Sequence, residues 1–378
     1  MTNQPPPEPK ITDLAGLRAH LQVAVGLELT TIPPYLCALY SIKDGHNTAA
    51  AQAIRSVVME EMLHMSLAAN VLNAVGEAPS TEPVQLLGEW IEPVPEYPTK
   101  VPFITGIGDI RLRPFTAEAV DSFMRIEHPT HENPDAVATA TAYSSIGNFY
   151  QAIEQALENH AIYSDQQFRD TYREHGDRQA QPNQYYGGAG ELNVVSDRAS
   201  ALAAVRRIVA EGEGLPEAAL GHTVVDKDKL AYGWLMYSHY ARFKEILTGR
   251  HYKPEQLVQD TPEGAMLTVD WQAVHPFTTD LPAGPAAQGS ELAAQLEFDV
   301  LYSELVRDLY TGFANGDPES LKKAVTDMYA LRYQAVALMR TPSPGHPGRT
   351  LGPRFRYLRE LAAFERQRGK AEQLRHAN

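Results

Sequence analysis

The sequence predicts a mainly α-helical protein: a four-helix bundle with loop-rich insertions and a C-terminal helical hairpin. Three observations predict it. Apolar residues recur at helical spacing in four long segments, at about 12–43, 48–75, 137–160 and 226–248. Two more helical segments, at about 291–314 and 318–340, flank an Asn315-Gly316 turn. Between the second and third segments, repeated prolines exclude a long helix.

The first two helices are predicted to form an antiparallel hairpin. A short turn at 44–46 separates them, and Gly76 is well suited to end the second helix in the left-handed conformation. Pro33 and Pro34 are expected to kink the first helix, because proline removes a backbone donor and clashes with the preceding turn.

The same patterns predict how the chain divides. We expect a disordered tail at 1–11, followed by the bundle at 12–250 with insertions at about 77–136 and 161–199. A linker at 251–290 is expected to lead to the C-terminal hairpin with its tail at 291–358, which packs on the bundle. A final tail is expected at 359–378.

Composition narrows the function classes. The 378 residues carry a formal charge of −14, which argues against nucleic-acid or anionic-membrane partners. Cys37 is the only cysteine, so an intrachain disulfide and a thiolate zinc cluster are excluded. The polar, proline-rich N-terminus lacks the apolar core of a secretion signal. We expect a cytoplasmic protein with a small-molecule substrate, and leave homo-oligomerisation open.

The sharpest local signal lies in the second helix. Glu61 and His64 are three residues apart, so their side chains can converge on one metal ion, as they do in di-iron and di-manganese bundles. Glu60 could take the place of Glu61, but a supporting position beside the site is the preferred interpretation. Residues around the pair are apolar, which makes a solvated surface pair less favourable.

Glu28 is predicted to lie level with Glu61. The two carboxylates are nearly equidistant along the chain from Gly45 in the hairpin turn. A carboxylate within the apolar Leu27-Glu28-Leu29 run is costly to bury without a cation or donor. A second cluster, His128 and His131 with Glu127 and Glu132, is interpreted as solvated loop.

Several motifs in one order resemble the ferritin-like proteins related to iminophenylpyruvate dimer synthases of violacein- and rebeccamycin-type biosynthesis. The motifs are Leu27–Leu36, Glu60–His64, Ser145–Tyr150, Ser238–Phe243 and Leu351–Phe355. The resemblance implies a ferritin-like fold with metal ligands on four helices, and it adds His239 to Glu28, Glu61 and His64.

The resemblance also implies two departures. Asn148 stands where the third helix would offer a carboxylate, and Met236 stands three residues before His239, where a glutamate is expected. An amide or thioether is a poor ligand for iron or manganese. We therefore expect one ion per chain, iron first with manganese or zinc as alternatives, and Asn148, Met236 and Tyr150 lining its cavity.

The leading hypothesis is a metal-dependent oxidoreductase acting on a small amino-acid-derived molecule in specialised metabolism. The resemblance supplies this activity, whereas the residue spacing supplies only the metal. The alternative is a non-catalytic ferritin-like scaffold or small-molecule-binding protein with a degenerate site.

Overall fold

A computed structural model describes residues 7–129, 137–182, 192–212, 237–278, 289–344, 346–360 and 369–370. The α-helices in these ranges are α1 Leu14–Ser41, α2 Thr48–Ala74, α3 Ala117–Ile126, α4 Ile146–Glu158, α5 Asp165–His175, α6 Arg198–Gly212, α7 His239–Thr248, α8 Gly289–Asn315 and α9 Pro318–Arg340. The strands are short: β1 Val84–Leu86 pairs antiparallel with β2 Glu89–Ile91, and β3 Phe277–Thr278 pairs parallel with β4 Thr350–Leu351. The predicted mainly helical fold is confirmed.

The α1–α2 hairpin forms as predicted, and α1 runs unbroken through its two prolines. Proline at 34 cannot donate to the carbonyl of Thr30 one turn earlier. The hydroxyl of Tyr97 donates to that carbonyl instead, at 2.8 Å. A side chain from the insertion thus satisfies the acceptor that the proline leaves free. Gly76 follows α2 with φ +82°, as its position predicts.

The other two positions of the bundle are each built from two short helices. α3 and α4 both pack against α1, while α6 and α7 both pack against α2. Across the bundle, α3 packs on α7 and α4 packs on α6. The bundle therefore has helix ends in its interior, beside the central hairpin.

These breaks correct two predicted helices. The helix expected over 137–160 begins only at Ile146, because the side chain of Ser145 caps its N-terminus. The helix expected from 226 begins at His239 within the described residues, because Ser238 is extended and accepts from the amide of Ala241. Residues 226–236 lie outside the described ranges.

A fifth helix was not predicted at all. α5 lies within the expected insertion at 161–199 and begins with a capping box between Ser164 and Gln167. That spacing is a recognised start signal, and it could have located the helix. The polar composition of α5 hides its helical periodicity, since Phe168 is its one buried residue.

The C-terminal hairpin of α8 and α9 packs on the first hairpin, α9 against α1 and α8 against α2. Asp317 caps α9, accepting from the amides of Glu319 and Ser320. The described part of the expected linker, 251–278, packs on the bundle rather than spanning solvent. It contributes three side chains to the main core: Leu267, Val274 and Phe277. Most of the expected final tail lies outside the described residues.

α1 is long and apolar enough to cross a membrane by length and composition alone. In this fold 89% of the qualifying window is buried, so α1 is the central helix of the core.

A buried ion pair joins α8 to the C-terminal segment. Asp299 is 1% exposed and accepts a hydrogen bond from Arg354. Burial raises the pKa of Asp299 to about 6, and Arg354 only partly opposes that rise. The folded state therefore holds a proton at Asp299 in a pH range where the unfolded state has released it.

We expect Asp299→Asn to gain stability relative to the parent as the pH rises from about 4 to about 7. The raised carboxyl pKa stabilises the parent at low pH, and this contribution is lost as the pH rises through about 6; asparagine does not titrate. The change should reach about 2–3 kcal/mol, a few degrees in melting temperature. Melting curves of both proteins across this range check it, and a constant difference between them would contradict it.

Candidate metal centre

The four candidate ligands singled out in the sequence come together in the bundle interior. Glu28 comes from α1, Glu61 and His64 from α2, and His239 is the first residue of α7. None of the four is more than 4% exposed. Ligand atoms of Glu61, His64 and His239 lie within 4.8 Å of one another, which makes these three a candidate metal site.

Glu61 lies between the two imidazoles. Its Oε1 is 2.9 Å from Nδ1 of His239, and its Oε2 is 4.0 Å from Nδ1 of His64. The imidazole rings are stacked, with centroids 5.3 Å apart. Each oxygen of one carboxylate therefore faces a different histidine.

A flanking carboxylate accompanies each histidine. Oε2 of Glu28 is 3.6 Å from Nδ1 of His64, and Oε2 of Glu127 is 3.5 Å from Nδ1 of His239. We call Glu28, Glu61 and Glu127 the inner carboxylates. The donor set thus divides into two halves, each with one histidine and one flanking carboxylate, and both halves share Glu61.

Sequence reasoning missed Glu127. It directly follows α3 and is 5% exposed, so its assignment to a solvated loop cluster is wrong. The signal that could have found it is the amphipathic pattern of α3, which buries Phe123 and Ile126 and carries the next turn inward. His128 packs edge-on against the ring of Tyr240, while His131 and Glu132 lie outside the described residues.

Two further carboxylates hold the outer nitrogens of the histidines. Nε2 of His64 lies 2.8 Å from Glu211 of α6, and Nε2 of His239 lies 3.0 Å from Glu60. If each Nε2–H donates to its carboxylate, the lone pair of each Nδ1 points to the inner carboxylates. This arrangement fixes ring orientation in metal sites of many proteins. Glu60 thus occupies the supporting position predicted for it, and Glu211 was not predicted.

The outer carboxylates, Glu60 and Glu211, each have an arginine. Arg242 donates to Glu60 at 2.6 Å, and Arg207 donates to Glu211 at 3.0 Å. Within the described ranges, no arginine or lysine forms an ion pair with the inner carboxylates. The outer charges are therefore compensated by arginines, whereas the inner carboxylates, among the described residues, interact with imidazoles, tyrosine hydroxyls and one another.

Two buried tyrosines donate to the flanking carboxylates. The hydroxyl of Tyr150 on α4 donates to Glu28, and that of Tyr35 on α1 donates to Glu127 at 2.6 Å. Burial and the adjacent carboxylates raise both phenol pKa values well above 10. Both tyrosines therefore remain protonated donors that orient the carboxylates.

Burial and neighbouring charges strongly shift the pKa values of the histidines and of Glu61. Burial alone would lower the pKa of His64, but Glu211 and Glu28 raise it to about 10. Burial likewise opposes protonation of His239, yet Glu127 and Glu61 raise its pKa well above 6.5. Burial and the neighbouring Glu127 raise the pKa of Glu61. The cluster therefore has a strong demand for positive charge between its carboxylates.

Two residues expected to line the cavity have other outcomes. The side chain of Asn148 makes its hydrogen bonds away from the site. Its Nδ2 donates to Glu8 at 2.9 Å and to Ser144 at 2.7 Å. Asn148 is not among the residues that bound the cavity, contrary to expectation, and the carboxylate beside His239 is that of Glu127, which follows α3. The same contacts show Glu8 docked against the bundle rather than in a disordered tail. Met236 lies outside the described residues.

The donor set fits divalent metal ions. Nδ1 of His239 is buried and makes no hydrogen bond, despite its approach to Glu61. Imidazole nitrogens and carboxylates are the donors that iron, manganese and zinc share. Beside these atoms is a cavity of about 20 Å³, bounded by Leu27, Ile146, Tyr150, Ile208 and Gly212 among others. It has room for a water or a diatomic molecule.

Comparison with known proteins agrees with this geometry. No curated protein matches the chain. A solved structure of a ferritin-like protein from Caulobacter vibrioides is similar, with a TM-score of 0.58 and 26% identity over 93% of this chain and 100% of that one. The ferritin-like family model matches residues 21–248, which include all three inner carboxylates and both histidines. The chain therefore belongs to the ferritin-like family.

Proposed function

We propose that this protein is a metal-dependent oxidoreductase whose bundle holds two metal ions, with iron as the expected metal. The observation that carries the proposal is Glu61 facing both histidines, with one further carboxylate on each side. Glu28, Glu61 and His64 would hold one ion, and Glu61, Glu127 and His239 the other. Two divalent ions also offset the charge of the three inner carboxylates.

The expectation of one ion rested on Asn148 in place of a carboxylate and on Met236 in place of a glutamate. Glu127 removes the first reason, and Met236 lies outside the described residues. The same finding weakens the alternative of a non-catalytic scaffold, which assumed a degenerate site. A pair of reduced iron ions in such a donor set supplies electrons to dioxygen or peroxide.

The protein's own residues would support that chemistry in three ways. The outer carboxylates hold the imidazoles in one orientation. Tyr35 and Tyr150 hold hydrogen bonds on the flanking carboxylates, and can hold a proton beside the site. The small cavity limits water to about one molecule, which suits a small oxidant.

The organic substrate is the finer part of the proposal. The sequence motifs resemble enzymes acting on amino-acid-derived molecules, which supports a substrate of that class. Such a molecule is larger than the cavity of about 20 Å³ within the described residues. Its binding would therefore require the described cavity walls to move.

Metal stoichiometry tests the two-ion arrangement. Protein reconstituted anaerobically with Fe(II) and desalted should retain about two irons per chain. Glu127→Gln should retain about one or fewer, since the His239 half loses its flanking carboxylate. Asn148→Ala is the matched control, expected to keep the parent value. Elemental analysis measures this, and two irons in Glu127→Gln would contradict the arrangement.

The hydrogen bond from His239 to Glu60 should tune metal affinity. Glu60→Gln removes the charge that holds His239 while keeping the side-chain shape, so we expect affinity to fall about 10- to 100-fold. His64→Ala should abolish the metal-dependent rise in melting temperature. Competition with a chelator measures affinity.

The exposed Glu158→Gln serves as the control, because its partner is a surface arginine. Unchanged affinity in Glu60→Gln would show that Glu60 only balances the charge of Arg242.

Oxygen uptake tests the activity. Iron-loaded protein should consume dioxygen faster with an amino-acid-derived substrate, and mass spectrometry should find its oxidised product among a panel of amino acids and their 2-oxo acids. His64→Ala should lose both signals, since it removes a ligand of the site. Iron oxidation without any change in the panel would argue against the substrate class, and no oxygen uptake at all would argue against the oxidoreductase.

A further inference from the structure

A larger cavity lies on the other side of α2 from the candidate metal centre. Its volume is about 360 Å³, within the range of small-molecule pockets. It opens near the turn between α1 and α2, and α9 forms its far wall. The apolar part of its lining comes from Leu36, Val58, Met59, Met62 and Met328.

Helix geometry separates this cavity from the metal ligands. Arg55, Met59 and Met62 lie within about 60° of one another around α2, at 100° per residue. Glu61 and His64 lie roughly 120–180° from Arg55 on the same projection. One helix therefore presents its two faces to two different sites.

Three polar groups in the cavity lining have no hydrogen-bond or ion-pair partner among the described residues. Arg55 and Arg332 form no ion pair or hydrogen bond with the residues that the structure describes. The hydroxyl of Tyr40, also in the lining, has no hydrogen bond to them either. Both arginines act electrostatically on this phenol, lowering a pKa that burial raises to about 12. The three groups thus share one region of the wall.

The charge of the lining opposes that of the protein. Its charged residues are Lys43, Asp44, Arg55, Arg332 and Arg340. Asp44 forms an ion pair with Arg340 at 2.6 Å, so the two charges offset each other. An excess of positive charge remains at one cavity of a chain whose formal charge is −14. Such a local field attracts an anion.

We propose that this cavity binds a small organic carboxylate whose apolar body lies between α2 and α9. Arg55 and Arg332 would bind the carboxylate, for which guanidinium groups have matching geometry, and Tyr40 would donate to it. The methionines would contact the apolar body, since their flexible side chains adapt to varied shapes. This site is independent of the metal centre and of the proposed oxidation.

Calorimetric titration tests the proposal with three probes: 2-naphthoate, its neutral counterpart 2-naphthamide, and decanoate. We expect a single site for at least one of the two acids, and binding of the amide at least about tenfold weaker than that of the tighter-binding acid, as for loss of a charge-assisted hydrogen bond. Tighter binding of naphthoate identifies a ring-bearing acid as the ligand class, and tighter binding of decanoate identifies an alkyl acid. Binding of neither acid overturns the proposal.

Variants locate the site. Arg55→Gln and Arg332→Gln should each weaken acid binding about tenfold or more. Lys322→Gln is the matched control, because it removes an exposed charge from the same helix α9 outside the cavity. Ala51→Phe should abolish binding by filling the cavity while keeping its charges. Parent-like affinity in both arginine variants, or binding of naphthamide as tight as that of the tighter-binding acid, overturns the proposal.

Discussion

The fold has to compensate three carboxylates that it buries in its centre. An uncompensated carboxylate in a low-dielectric core costs several kcal/mol. Arginines pair with Glu60 and Glu211. Among the described residues, no arginine pairs with Glu28, Glu61 or Glu127, which contact imidazoles and tyrosine hydroxyls instead. Cations held between the inner carboxylates meet this requirement most directly. The same ions would hold together α1, α2, α3 and α7, so the free energy of metal binding would contribute directly to the stability of the bundle.

Breaks in the outer helices make this arrangement possible. A continuous helix presents carboxylates only at fixed intervals along one face. Here Glu127 follows the end of α3, and His239 begins α7 after the cap at Ser238. At each break, a side chain at a helix end points to the central hairpin from a position that the periodicity of a continuous helix would not provide. Glu127 in particular lies at a helix C-terminus, where the macrodipole does not stabilise an anion, so it relies on Tyr35 and His239.

The central hairpin and its candidate metal-binding residues could be predicted from the sequence, but the carboxylates that the neighbouring short helices contribute could not. Glu28, Glu61 and His64 follow from helical spacing and hairpin register, which are local properties. His239 followed only from motif resemblance. Glu127 and Glu211 reach the site through tertiary packing of short helices. The amphipathic pattern of α3 indicates that Glu127 points inward, but it does not indicate which side chains Glu127 meets there. Asn148 was misplaced for the same reason: it was assigned by position on a long helix that in fact begins only at Ile146.

α2 links the two sites physically. Its inward face carries Glu61 and His64, and its opposite face carries Met59 and Met62 along the larger cavity. Cores are close-packed, so a ligand that displaces the methionines acts on the backbone that positions the metal ligands. Any such coupling must be reciprocal in free energy: an acid that favours one position of α2 changes metal affinity by the factor by which metal changes acid affinity. The buried contacts of Glu60 with Arg242 of α7 and of His64 with Glu211 of α6 hold α2 against its neighbours and oppose that motion, which favours two sites that function separately on one helix.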